Sequence, residues 1–371
     1  MNTRIIEFYD EFECMGGRCP DTCCKGWNVA VDADTYNNYK DERGALGALL
    51  CLMTKETEDG GAVFRRVCNQ CLFLDREGLC SFQKKGRHEL VPAVCKAYPR
   101  RSIVMEDECE ITFELACIQA AEIFARHPGR LTLIKSNEEP YTKNVLGNHE
   151  LNFRNFLYKS REEILDYWWD NPEDMKQKLI TLADYGYRAN EALAMNGVRE
   201  ARMIKIGGHD VISPQGFGIV PVVMLNEIVY ECLWRDGIKH KNPYLYKLLR
   251  RYDKEFGEYT ERKARGFFVE YMDKLIDTYP RLETIFMSYY SYVVQQTYLE
   301  AYEDYYVWGK LIMADVYTEL FMFMVLVDQL TGDSWNENQI PKVLAATERA
   351  LRHNSGITKI ILDKVRKYIL N

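Results

Sequence analysis

The stretch Cys14-Met15-Gly16-Gly17-Arg18-Cys19-Pro20-Asp21-Thr22-Cys23-Cys24-Lys25-Gly26-Trp27 sets four thiols within eleven residues, with glycine and proline between them. Thiolate is the natural ligand of soft and borderline metals, and iron-sulfur clusters are held mainly by cysteine. A single tetrahedral site using both Cys23 and Cys24 is awkward, because successive side chains tend to point apart. One of the two therefore faces elsewhere, or two sites exist. Downstream, Cys71, Cys80, Cys95 and Cys117 follow at gaps too long for a local knuckle, so they can join a site only through folding.

Eleven of the twelve cysteines lie before residue 118, which marks a separate module. The first residues mix Glu7, Asp10, Glu11 and Glu13 into apolar positions and lack the continuous apolar run of a secretory signal. The expected compartment is the cytoplasm, where clustered thiols read as a metal or iron-sulfur site rather than a disulfide framework. Cys51, Cys68, Cys109 and Cys232 read instead as small buried hydrophobes.

The 371 residues suffice for two cores, with 47% apolar and 28% charged side chains. A net charge of -7 argues against a nucleic-acid binder. The most apolar run, 311–330, is interrupted by Asp315, Glu319 and Asp328 and reads as a buried helix, so no membrane partner is expected. The expected fold class is mainly α, with an irregular cysteine-rich module over 1–130, held by ligation, and an all-helical domain over 131–371. One amphipathic piece falls near 34–52. Helices are expected at 153–169, 172–195 with Asn171 as cap, 221–235, 243–256, 260–278, 282–306, 308–330, 340–353 and 357–370. The Gly-rich stretch 196–220 reads as a connection. Tyr289, Tyr290, Tyr292, Tyr298, Tyr302, Tyr305 and Tyr306 read as packed rings whose hydroxyls reach the surface.

Several strings together resemble the flagellin lysine N-methyltransferase family: Phe12-x-Cys14, Cys19-x-Asp21-Thr22-Cys23-Cys24-x-Gly26-Trp27, Val31-Asp32, Thr35-Tyr36, Cys71-x-Phe73-Leu74-Asp75, Gly78-Leu79-Cys80, Cys95-x-x-Tyr98-Pro99-Arg100 and Cys117-x-x-Ala120-Ala121. The cysteine part alone is similar to small zinc- or iron-chelating cysteine-cluster domains. Leu72 stands where the family usually has proline, and Ile118-Gln119 where it usually has Pro-Glu. The resemblance implies S-adenosylmethionine-dependent methylation of flagellin lysines by an enzyme with an iron-sulfur cluster, expected to be four-iron, zinc being the alternative metal. Cys14, Cys19, Cys23, Cys24, Cys71, Cys80, Cys95 and Cys117 are the candidate ligands.

Amine methylation needs a neutral nitrogen in line with a sulfonium methyl. A radical-type Cys-x3-Cys-x2-Cys motif begins at Cys19 and Cys23, but Gly26 fails to complete it, which favours polar displacement. No glycine-rich dinucleotide fingerprint is present. Trp27, Asp75, Tyr98 and Arg100 are therefore candidates to line the cofactor, an aromatic face and a carboxylate suiting the sulfonium and Arg100 a carboxylate. The rivals are a non-catalytic iron or zinc sensor or assembly module with a helical partner-binding domain, and an iron-sulfur redox protein.

Overall fold

The computed structural model describes residues 1–25, 29–58, 60–65, 70–147, 150–207, 218–234, 237–257, 261–332, 334–352 and 356–369. Two compact units are present. The first is Met1–Ile123, Leu133–Asn144 and Asp236–Pro243, and the second is Phe124–Thr132, Val145–Arg235 and Tyr244–Asn371.

The first unit departs from the irregular module expected from sequence, because it is built on two sheets. Its strands are β1 (Asn2–Ile6), β2 (Ala30–Val31), β3 (Thr54–Glu56), β4 (Ala62–Phe64), β5 (Arg100–Met105), β6 (Glu108–Phe113) and β7 (Leu133–Ser136), with β8 (Asn144–Val145) where the chain leaves the unit. The larger sheet has the order β7-β1-β6-β5-β8 and the smaller β2-β4-β3. β1 runs parallel to β6, pairing Thr3 with Cys109, whereas β5 and β6 form a hairpin from Arg100↔Phe113 to Met105↔Glu108. The hairpin turns at Glu106, whose φ of 57° lies in the left-handed region. Tyr9 stacks on Phe113 with ring centroids 5.9 Å apart, closing one face of β6.

Around the smaller sheet lie α1 (Ala33–Asp41), α2 (Gly44–Met53), α3 (Ser81–Lys84) and α4 (Ala93–Ala97), and α5 (Ile118–Arg126) follows β6. The expected amphipathic piece is thus two helices broken at Glu42 and Arg43. Tyr39, Leu50, Phe64, Phe73, Phe82 and Leu90 form a core on which Cys71, Cys80 and Cys95 pack, so apolar burial also holds this unit. Asp32 caps α1 by accepting from Thr35 N at 3.0 Å, and its other oxygen accepts from Ala93 N at 2.7 Å. One carboxylate thereby fixes the starts of both α1 and the cysteine-bearing α4.

The second unit is helical, but it is not the all-helical stretch 131–371: Leu133–Asn144 and Asp236–Pro243 fall in the first unit, where β7 pairs antiparallel with β1. Its helices are α6 (Leu151–Asp170), α7 (Met175–Asn196), α8 (Val198–Ala201) and α9 (Val222–Ile228), which continues as a π-helical turn, Val229–Leu233. After α10 (Ile238–Lys241), which belongs to the first unit, come α11 (Pro243–Phe256), α12 (Glu261–Thr278), α13 (Arg281–Thr297), α14 (Ala301–Asp304), α15 (Val307–Thr331), α16 (Ile340–Arg352) and α17 (Ile357–Tyr368). In α11, Leu245, Leu248, Leu249, Tyr252 and Phe256 recur on one buried face behind a first-position proline. α7 starts later than expected. Asp174 caps it through Gln177 N, while Asn171 closes α6 and accepts from Glu173 N. The expected helix 282–306 stops at Thr297, and Tyr305 adopts a φ of 56°.

Helix α15 is buried from Val307 to Asp328 except at Lys310, with α7 and α13 against it. No helix among the described residues is long and apolar enough to cross a membrane.

Candidate metal centre

The first constellation is a turn built on glycine. Gly16, at a φ of 56°, lets the chain reverse, Cys19 N donates to Gly16 O at 3.1 Å, and Gly16 N approaches Cys14 Sγ at 3.4 Å. The second constellation is a hairpin. Leu74 bridges to Cys80, Asp75 N donates to Leu79 O at 2.9 Å, and Ser81 N to Phe73 O at 2.7 Å. Cys71 and Cys80 therefore stand at the ends of one short loop. Two contacts tie the constellations together: Cys71 N donates to Cys24 O at 2.8 Å, and Lys25 bridges to Gln70.

The thiols divide into neighbourhoods by the charges they feel. Cys71 is pushed up to about 11, first by burial, with Cys24 and Cys80 adding to it. Burial also raises Cys95, where Cys24, Cys71 and Cys80 contribute further. Cys117 is pushed up to about 11 by burial, helped by Cys19 and Cys14, against the backbone N–H groups of Ala120 and Gln119 that its sulfur accepts at the start of α5. Within the adjacent pair, Cys23 donates to Cys24. That bond raises the Cys23 thiol and lowers Cys24 to about 6, a fall that Thr22 and Lys25 support. Cys23 also feels both Cys95 and Cys117. Cys24 thus sits with Cys71, Cys80 and Cys95, while Cys117 sits with Cys14 and Cys19, and Cys23 borders both groups.

All eight candidate cysteines are within electrostatic reach of another member of the set, which matches the donor chemistry of a thiophilic centre. Among the described residues, no group of three or more His, Cys, Asp or Glu side chains is placed to hold a metal ion directly. Of the other cysteines, Cys109 and Cys232 are buried as expected, Cys51 is exposed, contrary to expectation, and Cys68 lies outside the described residues.

A cleft of about 480 Å³ opens beside this region, lined by Gly16, Gly17, Cys19, Thr22, Lys25, Gln70, Leu74, Asp75, Arg76, Glu77 and Gly78. Asp75, expected to face a cofactor, borders it. Yet its Oδ1 accepts from Glu77 N and Leu79 N, both at 2.9 Å, and its Oδ2 meets Lys84 Nζ at 3.1 Å. Those bonds hold its carboxyl below the usual range, the Leu79 N–H contributing most. Arg100 lies over the rings of Tyr9 and Phe12, at 4.9 and 5.1 Å, and Tyr98 ends α4 with its N–H on Val94 O. Neither Tyr98 nor Arg100 borders the cleft, and Trp27 lies outside the described residues. The sequence reading missed Lys25 and the glycines Gly16, Gly17 and Gly78. Their signal was present in the glycines set between cysteines.

The rest of the Gly-rich segment, 208–217, is outside the described residues. The tyrosine expectation is corrected. Tyr289, Tyr290, Tyr292, Tyr298 and Tyr302 are all fully buried. Tyr289 donates to Glu348, and the Tyr298 hydroxyl meets Ser160 Oγ at 2.9 Å, so these polar tips are satisfied inside the unit.

Comparison with known proteins adds a relationship. Over 132 residues, 34% of this chain, the sequence is 26% identical to the flagellar biosynthetic protein FliU of Salmonella muenchen, and the match covers 78% of that protein. Over 132 residues it is 25% identical to the lysine-N-methylases of Salmonella typhimurium and Salmonella choleraesuis. The chain has distant homologues among the lysine-N-methylases. The match spans 33% of the length of each lysine-N-methylase. No family model and no solved structure matches the chain.

Proposed function

We propose that this protein is an S-adenosylmethionine-dependent lysine N-methyltransferase whose protein substrate is flagellin. The observation that carries the reading is the distant kinship to lysine-N-methylases, and the flagellar name of a further relative supports the substrate. The neutral lysine amine attacks the sulfonium methyl: the carbon–nitrogen bond forms as the carbon–sulfur bond breaks, S-adenosylhomocysteine leaves as a neutral thioether, and the methylammonium formed releases its proton to water. The centre is an iron-sulfur cluster, or alternatively zinc, held by thiols among Cys14, Cys19, Cys23, Cys24, Cys71, Cys80, Cys95 and Cys117. Cys19, which lines the cleft, would be the ligand that ties such a centre to the cleft edge. Within this reading Lys25 and Gln70 are better placed than Tyr98 or Arg100 to meet a cofactor in that cleft.

A second reading, a non-catalytic iron or zinc module with a helical partner-binding domain, is favoured by one observation. Asp75 and Arg100 are both engaged in holding the first unit together. Incubating the full chain, purified without oxygen, with S-adenosylmethionine and flagellin separates the two. Mass increments of one methyl group on flagellin lysines support the first reading, and an unmodified flagellin with no bound S-adenosylmethionine supports the second.

A further inference from the structure

A second cleft, of about 320 Å³, lies wholly within the second unit, between α6, α7 and the end of α8. That volume falls at the lower end of small-molecule sites. Bonds made outside the cleft fix its walls. Arg202 donates to Asn152 O at 2.7 Å, which ties the end of α8 to the start of α6, and Arg188 on α7 donates to the carbonyls of Lys205 and Gly207, both at 3.1 Å. Arg188 is held in turn by Asp184 Oδ2, 2.7 Å from its Nε. The cleft therefore stands formed before a ligand arrives, which lowers the cost of binding.

Helix α6 presents two rows of side chains to it. Phe156 and Ser160, one turn apart, are buried at the floor beside Tyr185 and Ala201. Ser160 is already spent: its Oγ donates to Phe156 O at 2.7 Å and takes the Tyr298 hydroxyl at 2.9 Å. The outer row is Asn155, Lys159 and Glu163, each one turn and about 6 Å along the axis from the next. Its groups keep their bonding capacity. Lys159 Nζ lies 3.7 Å from Glu163 Oε1, near enough for the charges to attract but too far for a hydrogen bond. The Asn155 amide has no hydrogen-bond partner among the described residues, and Arg202 commits one of the N–H groups of its guanidinium.

These outer groups are ordered by charge. Arg202, tethered at Asn152, and then Asn155 and Lys159 offer donors toward the amino end of α6, while Glu163 offers an acceptor one turn beyond Lys159. The complement of such a surface is a carboxylate and an ammonium carried close together on one molecule. A phosphate or a dicarboxylate would set negative charge against Glu163, and a simple amine would leave Lys159 and Arg202 unanswered. Phe156, Ala201 and Ile204 add an apolar wall that suits a hydrocarbon side chain.

We propose that this cleft binds a free α-amino acid with an apolar side chain, its carboxylate taken by Lys159 and Arg202 and its ammonium by Glu163. The site does not rest on the methyltransferase reading, since it lies in the second unit and concerns binding alone.

The test is calorimetric titration of the full chain with L-leucine, L-valine and L-phenylalanine, beside isoamylamine and 4-methylpentanoate, which each keep one charge of leucine. Saturable binding of at least one amino acid is expected, with both single-charge compounds weaker by about tenfold or more. Glu163→Gln and Lys159→Gln should each weaken it by a similar factor. Both side chains are at the surface, so the unfolding curves of the variants should match the wild type. Binding of none of the three amino acids, equal affinity for a single-charge compound, or unchanged affinity in either variant overturns the proposal. Since no methyl donor or flagellin is present, failure here leaves the methyltransferase reading to its own experiment.

Discussion

Gly17 and Gly78 meet backbone to backbone. A Cβ placed on Gly78 would stand 3.3 Å from Gly17 Cα, and one placed on Gly17 would lie 2.2 Å from the carbonyl oxygen of Glu77. Through this crossing the Cys14–Cys19 turn lies against the loop that ends at Cys80, so the two cysteine constellations depend on side-chain-free contact.

Gly17→Ala should therefore displace one loop from the other, at a cost of about 1–3 kcal/mol. Gly86→Ala is the matched control, because Gly86 has a φ of 68° but open space around its Cβ position. It should cost about 1–2 kcal/mol from backbone strain alone and leave metal content unchanged. Denaturant unfolding with metal analysis distinguishes them, and equal metal content in both variants would refute the role given to the crossing.

Glu319 gives a pH dependence with a definite sign. Burial pushes its carboxyl up to about 8, against the N–H groups of Gly218, Ile219 and Val220 and the charge of Lys176. The folded state holds the proton that the unfolded chain releases near the ordinary value of 4.5. The stability this contributes is complete below that value and lost as pH rises through about 8. Between those values the unfolding free energy should fall by up to about 1.4 kcal/mol per pH unit. Glu319→Gln should flatten the profile, and an unchanged slope would show that Glu319 is not the group.

The buried tyrosines are separable from the exposed one. Tyr289→Phe leaves Glu348 without its hydroxyl donor and should cost about 1–3 kcal/mol. Tyr305→Phe removes an exposed bond to Glu150 at 3.0 Å and should stay within about 0.5 kcal/mol. Chemical denaturation of both variants reads the difference directly.

Arg100 is positioned by Tyr9 and Phe12, so Arg100→Ala should lower stability by about 1 kcal/mol while S-adenosylmethionine affinity stays unchanged. Calorimetric titration beside an unfolding curve checks both halves. A loss of affinity at full stability would return Arg100 to the cofactor.

What the sequence disclosed follows from where each element finds its partners. α11 was legible to the residue because its buried face repeats at helical spacing and its first position is proline. β5 and β6 were hidden because Ser102, Ile103, Val104 and Met105 are buried in succession, a run whose periodicity does not separate strand from helix. The parallel partner of β6 lies about a hundred residues away in β1. The tyrosine hydroxyls were misread for a similar reason: Ser160 and Glu348 lie on helices distant in the chain, and only folding brings them to Tyr298 and Tyr289. At the candidate centre the thiols were visible as a set. Their division around Cys23 and Cys24 depends on the contact of Cys71 with Cys24, which no spacing rule encodes.

The gathering of thiols around a metal is tested most directly by the iron, sulfide and zinc content of the full chain purified without oxygen, beside Cys24→Ser and Cys117→Ser. Metal bound in stoichiometric amount by the wild type and reduced in both variants is the expected result. A folded wild type with neither iron nor zinc above background would contradict it.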